Sequence, residues 1–310
     1  MKKLRISVVV SSYNGSPYII DQLESLKDQS RQPDEVIIAD DCSSDDTVNI
    51  VSKFIQSNNL KSWKLKINRT NKGWRRNFME TMWEASGDLV FPCDQDDIWN
   101  KNKISKMSEI MENHSNISIL TSNYCEFWKN GKTKVGPWKN TKRLEQVTLK
   151  NNYLLVRSPG CTYCVRRSLL ELSKKYWKPS YPHDALLWRL GLFSGGLYTW
   201  TEALINWRNH SNSAFAKESK TLKNVHAKLW WIKTARDFNQ TLRKYTLQQM
   251  SENCNQQIKI LDNTDRWLNK REKFYLTKNP LIGISLIEYW SVYPRKRQYL
   301  GDWYLIYFVG

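Results

Sequence analysis

The sequence predicts an α/β protein with a mostly parallel β-sheet flanked by helices and a C-terminal helical appendage. Two observations lead to this fold class. Short β-branched runs alternate with segments whose apolar residues recur at helical spacing, as in strands joined by crossover helices. Polar and acidic clusters stand directly after the predicted strands, and sheets of this kind bind ligands beyond the carboxyl ends of their strands.

Four predicted strands lie in the N-terminal third of the chain. Their β-branched runs place them at residues 6–11, 35–39, 64–67 and 89–91. Helical spacing of apolar residues indicates helices at residues 18–29, 48–55 and 77–85. Pro33 and Gly87 mark the ends of the first and third of these helices. The strand ends are therefore expected to meet at one edge of the sheet.

The rest of the chain shows weaker patterns. We expect further elements as follows: helices at 104–111, at 168–174 and after 183–184, strands at 117–121 and after 162, a hairpin turn at 130–132, and an edge strand at 197–205. After Ser213 the composition shifts to long helical stretches rich in Lys, Trp and Tyr. These patterns predict one domain over residues 1–215 and a helical, aromatic and basic region over residues 216–310.

The composition restricts the partners and the compartment. Lys and Arg number 48 against 30 Asp and Glu, which gives a formal net charge of +18 and favours polyanions: nucleic acid, nucleotide phosphates or anionic lipid headgroups. The basic residues form no recognisable nucleic-acid-binding motif, so we expect no nucleic-acid partner. No signal peptide is recognisable, and no apolar run reaches the roughly 18–20 residues that span a bilayer. We therefore expect a cytoplasmic protein, either soluble or at the inner face of the cell membrane.

The six cysteines are scattered, and Cys161 and Cys164 have the spacing of a metal or redox pair. A second pair that would complete a zinc site is missing from the sequence. We therefore expect free or buried thiols.

Three carboxylates follow the fourth predicted strand within four residues, at Asp94, Asp96 and Asp97. Like charges packed so tightly cost free energy unless a cation or a bound ligand offsets them. The alternative is a solvated acidic turn. Asp40 and Asp41 follow the second strand in the same way, and their alternative role is to cap the strand end without binding a ligand.

Several motifs in order and spacing resemble glycosyltransferase family 2, whose members have the GT-A fold. The matching segments are Val8–Asn14, Glu35–Thr47, Asn71-x-Gly73, Ser86–Asp88 and Asp94–Trp99. The resemblance extends from residue 5 to about residue 212. The Asp-Gln-Asp-Asp-Ile-Trp segment is similar to that of rhamnosyltransferase-like members that build bacterial surface polysaccharides.

The resemblance implies transfer of a rhamnose-, galactose- or glucose-type sugar, with inversion, from a dTDP- or UDP-linked donor. The implied acceptor is a glycan or an undecaprenyl-diphosphate-linked glycan in capsule or O-antigen synthesis. Processive members carry a Q-x-x-R-W signature after the catalytic Asp. Residues 185–191 lack it, which favours addition of one sugar per encounter.

The resemblance also assigns roles to residues. It implies Mn²⁺ or Mg²⁺ held by Asp96, Asp94 and His210. The implied nucleotide-sugar-binding residues are Ser11, Tyr13, Asn14, Asp40, Asp41, Asn71, Gly73, Asp94, Asp97, Arg208 and His210. Asp184 matches the base that deprotonates the acceptor hydroxyl, with a helix N-cap as its alternative role. A structural histidine is the alternative for His210.

Two other functions are considered. A non-catalytic nucleotide-sugar- or nucleic-acid-binding protein would suit the positive charge but would not need the Asp-x-Asp and His-Asp motifs. A nucleotidyltransferase would want a Gly-rich phosphate loop after the first strand, where the sequence has only Gly15. The C-terminal region is expected either to dock on a membrane or acceptor or to form a homodimer, the alternative being a helical appendage with an aromatic core.

Overall fold

The structure is a computed structural model that describes residues 3–150, 152–210, 224–249 and 254–309. The described residues form two compact units. The first unit contains residues up to 148 together with 156–209, and the second contains residues 149–155 together with those from 210 onward.

The first unit is built on a ten-stranded mixed sheet with flanking helices. Its parallel half has the strand order β3-β2-β1-β4, with β1 at Ile6–Ser12, β2 at Glu35–Asp40, β3 at Trp63–Ile67 and β4 at Leu89–Asp94. The connections contain helices α1 (Ile19–Lys27), α2 (Thr47–Ser57) and α3 (Trp74–Glu84). All of β1 and β2 is buried, as expected for central strands covered on both faces. The α/β class predicted from the sequence is confirmed.

The other half of the sheet contains both parallel and antiparallel pairs. Its strands are β5 (Ile98–Trp99), β6 (Ile119–Trp128), β7 (Thr133–Val135), β8 (Leu144–Gln146), β9 (Tyr163–Arg166) and β10 (Leu197–Asn209). The order continues β4-β9-β6-β10-β5, with β7 on β6 and β8 on β10. Helices α4 (Lys103–Asn113), α5 (Arg167–Ser173) and α6 (His183–Phe193) complete the unit.

The prediction that residues 197–205 form an edge strand is wrong. Strand β10 lies inside the sheet, parallel to β6 on one side and antiparallel to β5 on the other. The short strand β5 follows the acidic segment and returns to pair with Ile205 and Asn206. A two-residue strand has too little length for any periodic pattern, so the sequence could not reveal that β10 is covered.

The second unit is helical within the residues described. Its elements are α7 (Val225–Gln249), α8 (Cys254–Thr277), α9 (Pro280–Ser285), a 3₁₀ turn (Leu286–Tyr289), α10 (Arg297–Tyr304) and a π-helical turn (Leu305–Val309). Among the helices described in the two units, none has the length and apolar character needed to cross a bilayer.

A buried ion pair lies at the centre of the second unit. The Arg271 guanidinium donates from Nε and Nη2 to the two carboxylate oxygens of Asp302, both at 2.6 Å, and both side chains are fully buried. The hydroxyls of Tyr275 and Tyr293 also donate to Asp302, at 2.5 and 3.2 Å. A buried carboxylate needs such a set of donors, because its desolvation penalty is otherwise uncompensated.

Candidate active site

The register of the sheet brings the polar strand ends together. Ser12 at the end of β1 lies opposite Asp40 at the end of β2, and Ser11 lies opposite Asp94 at the end of β4. These three strands are parallel, so their carboxyl ends form one edge of the sheet. The predicted convergence of the first, second and fourth strand ends is present in the structure.

Asp40 is fully buried and supports the turn that follows it. Its Oδ1 accepts from Ser12 Oγ at 3.0 Å and from Ser43 Oγ at 2.6 Å, and its Oδ2 accepts from the Ser43 backbone N–H at 2.8 Å. Each carboxylate oxygen has two lone pairs, so Asp40 retains capacity for a further donor.

Asp41 holds the loop at residues 71–73. Its Oδ1 accepts from the Lys72 backbone N–H and its Oδ2 from the Gly73 N–H, both at 2.8 Å. Asn71 Oδ1 accepts from the same Gly73 N–H at 3.0 Å. Gly73 precedes the first turn of α3 with a φ of +84°, a conformation that side chains disfavour and that explains the glycine. The two neighbouring aspartates thus organise two different loops.

A buried asparagine, not predicted from the sequence as a site residue, ties these loops to β1. Asn77 on α3 donates from Nδ2 to Ser11 Oγ and to the Ala39 carbonyl, both at 2.8 Å. Its Oδ1 accepts from Asn68 Nδ2 at 2.8 Å, and Asn68 also donates to Asp41 at 3.0 Å. The available signal was an amide on the apolar face of a helix, where an unpaired amide would be costly.

Tyr13 and Asn14 form the rim of this edge. The side-chain amide of Gln95 accepts from the Tyr13 backbone N–H at 2.8 Å and donates to the Tyr13 carbonyl at 3.0 Å. Asn14, with a φ of +48°, accepts from the Ser44 backbone N–H at 2.8 Å. The Tyr13 side chain is nearly half exposed and offers an aromatic face for stacking.

The acidic segment at the end of β4 contains carboxylates that are buried and that repel one another. Burial, with the neighbouring charges of Asp96 and Asp184, raises the pKa of Asp94 to about 7. Burial and the same kind of repulsion from Asp96 and Asp94 raise the pKa of Asp97 well above its ordinary range. Asp97 Oδ2 is buried and has no hydrogen-bond partner among the described residues.

Oxygen donors with uncompensated charge fit a hard divalent cation such as Mn²⁺ or Mg²⁺. One carboxylate oxygen each of Asp94 and Asp97 and the Cys161 sulfur lie within 4.8 Å of one another. Asp96, the ligand preferred from the sequence, is half-buried, and its charge acts on both neighbours. Sequence reasoning missed the position of Cys161. The expectation of free or buried thiols is confirmed, since all six cysteines are free.

Arg208 at the end of β10 clamps the acidic segment. Its backbone N–H donates to Asp97 Oδ1 at 3.0 Å, and its Nε donates to the Asp96 carbonyl at 2.7 Å. Its Nη2 forms an ion pair with Asp21 at 2.7 Å. The guanidinium thus already has a carboxylate partner. His210 belongs to the second compact unit, as the first residue of its longer segment, and its predicted contact with phosphate or metal stays a prediction.

Asp184 lies close enough to the acidic segment for its charge to act on Asp94. It is half-buried in the first turn of α6, and its charge contributes to the raised pKa of Asp94. Its Oδ1 accepts from the Ala185 backbone N–H at 2.7 Å. The alternative role of N-cap is wrong, because α6 begins at His183 and Pro182 occupies the cap position.

His183 is buried beside this carboxylate, and neither of its ring nitrogens has a hydrogen-bond partner among the described residues. Its ring packs on Phe78 with centroids 4.2 Å apart. A Cβ on Gly160 would lie 2.1 Å from His183 Nε2, so only glycine fits there. Burial lowers the pKa of His183, which favours a neutral imidazole.

A buried lysine lies behind the acidic segment. Lys103 Nζ is 3.6 Å from the centroid of the Trp99 ring and 4.9 Å from that of Phe91. The ammonium group has no hydrogen-bond acceptor among the described residues. Burial lowers the pKa of Lys103 to about 8, although the nearby Cys93 and Asp97 oppose this effect. Nothing in the sequence indicated its burial.

Sequence comparison relates the chain to known proteins. Residues 7–172 match the sequence model of Glycosyl transferase family 2. The poly(ribitol-phosphate) β-N-acetylglucosaminyltransferase TarS of Staphylococcus aureus is 34% identical over 120 residues, which cover 38% of this chain and 21% of TarS. The dTDP-rhamnosyl transferase RfbG of Shigella flexneri is 27% identical over 171 residues, covering 54% of this chain and 57% of RfbG. The chain thus spans about a fifth of TarS and less than two thirds of RfbG.

Solved structures of S. aureus TarS share the fold. TarS 1–349 in complex with UDP-GlcNAc superposes with a TM-score of 0.58 at 23% identity, over 78% of this chain and 66% of that one. The complex with UDP gives a TM-score of 0.57 at 21% identity, over 89% and 92% of the two chains. The fold is therefore GT-A. Because the family model covers more than half of the chain, the protein belongs to glycosyltransferase family 2, as the sequence motifs implied.

Proposed function

We propose that the protein is an inverting, metal-dependent, non-processive glycosyltransferase of bacterial surface polysaccharide synthesis. Its donor would be a dTDP- or UDP-linked hexose of the rhamnose, galactose or glucose type, and its acceptor a glycan or an undecaprenyl-diphosphate-linked glycan. The observation that carries the proposal is the convergence of Asp184 on Asp94. The charge of the candidate base Asp184 acts on Asp94, one of the carboxylates that would manage the leaving group.

The relatives support this choice of chemistry. TarS is named as a β-N-acetylglucosaminyltransferase acting on poly(ribitol-phosphate), and RfbG as a dTDP-rhamnosyl transferase. Both names describe transfer of a sugar, N-acetylglucosamine in TarS and rhamnose in RfbG. A donor screen should therefore compare dTDP-rhamnose, UDP-galactose, UDP-glucose and UDP-N-acetylglucosamine.

The donor nucleotide is assigned to the edge formed by β1, β2 and the loop at 71–73. The exposed ring of Tyr13 would stack on a pyrimidine base, and Asp40 would accept from the base N3–H. Asn14, Asp41 and the loop would shape the pocket around the ribose and the diphosphate. The hydrogen bonds of Asp40 and Asp41 fix both loops before a ligand arrives, which lowers the entropy lost on binding.

Asp94 and Asp96, with Asp97 beside them, are the residues that would hold Mn²⁺ or Mg²⁺. A bound cation would neutralise charge on the departing diphosphate. The chain itself contributes an orienting clamp, because Arg208 fixes the backbone of Asp96 and one oxygen of Asp97. This clamp keeps the carboxylates in place although they repel one another.

Inversion requires attack from the face opposite the leaving group. The acceptor hydroxyl oxygen forms the new bond to the anomeric carbon while the bond to the diphosphate oxygen breaks. The hydroxyl proton passes to the Asp184 carboxylate, and the nucleoside diphosphate leaves with the electron pair. The Ala185 backbone N–H in the first turn of α6 donates to one oxygen of Asp184 and would hold it in position for this transfer.

Replacing Asp184 with asparagine tests the base assignment. Because the amide keeps the shape but cannot take the proton, we expect turnover to fall by about 10²–10⁴-fold. Donor affinity, measured by calorimetry with Mn²⁺ present, should stay close to that of the wild type. The matched control is Asp28→Asn, which changes an exposed aspartate at the end of α1 and should leave turnover unchanged. Full activity of Asp184→Asn would refute the assignment.

Metal dependence is tested separately, by donor hydrolysis and transfer before and after chelation. Activity that returns on adding Mn²⁺ or Mg²⁺ supports the proposal, and activity that resists chelation contradicts it. The non-catalytic and nucleotidyltransferase alternatives are not proposed, because the chain is a member of a transferase family.

A further inference from the structure

The second compact unit presents an unusual amount of apolar surface near its C-terminal end. Of the sixteen large hydrophobic side chains that are exposed among the described residues, ten lie between residues 276 and 309. We name as the apolar patch six of the exposed aliphatic and aromatic positions of this segment: Leu276, Leu281, Ile284, Ile287, Leu300 and Phe308. Leu281 is 73% exposed and Phe308 is 79% exposed. Patches of this kind mark interaction surfaces.

The outward apolar side chains stand on a well-packed scaffold. A Cβ on Gly283 in α9 would lie 2.6 Å from the rings of both Phe274 and Trp303, so α9 fits closely against α8 and α10. Leu286, the first residue of the turn after α9, is fully buried. The segment therefore has one apolar face turned inward and a second turned outward. A helical segment that is apolar all round needs a cover for its outer face.

The patch combines segments that are distant in the sequence but adjacent in the structure. Tyr307 Oη donates to the Lys278 carbonyl at 2.5 Å, which brings the end of the described chain next to the start of α9. The rings of Trp303 and Tyr307 stack with centroids 5.7 Å apart. The segments that carry Leu281 and Phe308 therefore lie next to each other in the unit.

Cations border the patch. Lys278, Arg295, Lys296 and Arg297 are exposed, and Lys296 Nζ lies over the Trp290 ring at 5.5 Å. Within the described residues from 276 to 309, Glu288 is the only exposed acid. Apolar and aromatic side chains beside exposed cations are the combination that suits the boundary between acyl chains and anionic headgroups.

We propose that the apolar patch docks on an anionic lipid bilayer, with Leu281, Ile284 and Phe308 entering the acyl boundary and the cations of residues 295–297 contacting headgroup phosphates. A second copy of this chain is a poorer occupant. In a two-fold dimer the same surface meets itself, so the basic borders would face each other. This inference deepens the proposed function, because a lipid-linked acceptor would then be met at the surface that carries it.

Sedimentation with vesicles tests the inference on the full chain. Wild-type protein should bind mixed phosphatidylcholine–phosphatidylglycerol vesicles and should bind pure phosphatidylcholine far more weakly. The double variant Leu281→Ser/Ile284→Ser should lose roughly tenfold or more in partitioning, because two exposed aliphatic groups no longer leave water. Arg295→Gln/Arg297→Gln should weaken binding roughly tenfold or more, as each of the two cations near the surface contributes roughly fivefold.

Leu247→Ser is the matched control, since Leu247 is also exposed in the second unit but lies on α7, outside the patch. It should bind vesicles like the wild type. Equal binding to both vesicle types, or patch variants that bind like the wild type, would overturn the inference. A concentration-dependent dimer that the patch variants abolish, without vesicle binding by the wild type, would also overturn it and identify a second copy as the occupant.

Turnover separates this inference from the proposed function. Metal-dependent hydrolysis of the donor in solution needs no membrane. If vesicle binding is absent while donor hydrolysis persists, the docking surface is refuted and the proposed function stands. If the protein binds vesicles but hydrolyses none of the donors with any cation, the proposed function fails and the surface stands.

Discussion

Replacing Lys103 with methionine is expected to stabilise the first compact unit at neutral pH. The lysine is fully buried, and the pKa of its ammonium group falls from an ordinary value of 10.5 to about 8. A tenfold change in an equilibrium constant is about 1.4 kcal/mol, so keeping this group charged costs the folded state about 3 kcal/mol. Cation–π attraction to the rings of Trp99 and Phe91 stabilises the charged lysine by about 1–2 kcal/mol. Methionine loses part of this stabilisation and keeps part through contacts of its sulfur with the rings. We therefore expect a net gain of about 1–3 kcal/mol at pH 7.

The pH dependence of this gain follows from the direction of the shift. Between pH 8 and pH 10.5 the unfolded chain keeps a proton on Lys103 that the folded protein releases, so wild-type stability rises with pH in this window. The advantage of the variant should therefore be complete below pH 8 and decline toward pH 10.5. Titrating groups that do not interact with Lys103 are common to both proteins and cancel in the difference.

Urea unfolding of both proteins from pH 7 to pH 10, followed by tryptophan fluorescence, measures this difference. Lys101→Met is the matched control, because Lys101 is exposed two residues away and its removal should give a small difference that does not change with pH. A variant at Lys103 that is less stable than the wild type at pH 7, or whose advantage does not change with pH, would refute the reasoning.

Three further predictions concern other buried groups. Gly160→Ala should displace the ring of His183 and lower the free energy of unfolding by about 1–3 kcal/mol, as measured by urea unfolding. Steady-state kinetics should show that turnover falls more than donor affinity. Arg271→Met should destabilise the second unit by about 3–5 kcal/mol, because Asp302 would remain buried without its cation. In calorimetry, the thermal transition of the second unit should then occur at a lower temperature than in the wild type. Asn77→Ala should cost about 1–3 kcal/mol and weaken UDP binding, because the loops around the nucleotide edge lose a shared anchor.

These predictions have internal controls. Gly301→Ala places a methyl group in open space within α10 and should stabilise the protein by about 0.5–1 kcal/mol. Removing both members of the buried pair, with Arg271→Met/Asp302→Leu, should cost much less than Arg271→Met alone. If the single and double variants are equally unstable, the loss comes from packing and not from an unpaired charge.

The parallel half of the sheet could be predicted from the sequence because its strands are short, β-branched and followed by turn-forming residues. The other half could not, because its pairing depends on contacts between distant segments. Strand β5 has two residues, and the chain between β6 and β9 contains only short strands. Both are too short to show the alternation of apolar and polar residues that identifies a strand in a sequence.

The candidate site shows the same division. The sequence indicated that Asp94, Asp96 and Asp97 lie together, because strand ends of parallel sheets converge. It could not distinguish among them, since burial of Asp97 depends on Arg208, more than a hundred positions away. The burial of Lys103 and His183 could not be predicted from the sequence for the same reason. A charge in the sequence is ordinarily a surface residue, and only its tertiary neighbours show otherwise.

The grouping of residues 149–155 with the second unit constrains how that unit can be removed. Tyr153 donates to the buried Asn239 at 2.5 Å, and Asn152 donates to the Val292 carbonyl at 2.5 Å. During synthesis this short segment can therefore form these contacts only after Asn239 and Val292 have been synthesised, more than eighty residues later. A truncated protein ending near residue 215 would keep the segment and lose its partners. Tyr153 and the side-chain amide of Asn152 would then lose their hydrogen-bond partners, and the truncated protein would be prone to misfolding and proteolysis. Point variants are consequently the sounder way to separate the roles of the two units, and truncation data would confuse loss of attachment with loss of folding.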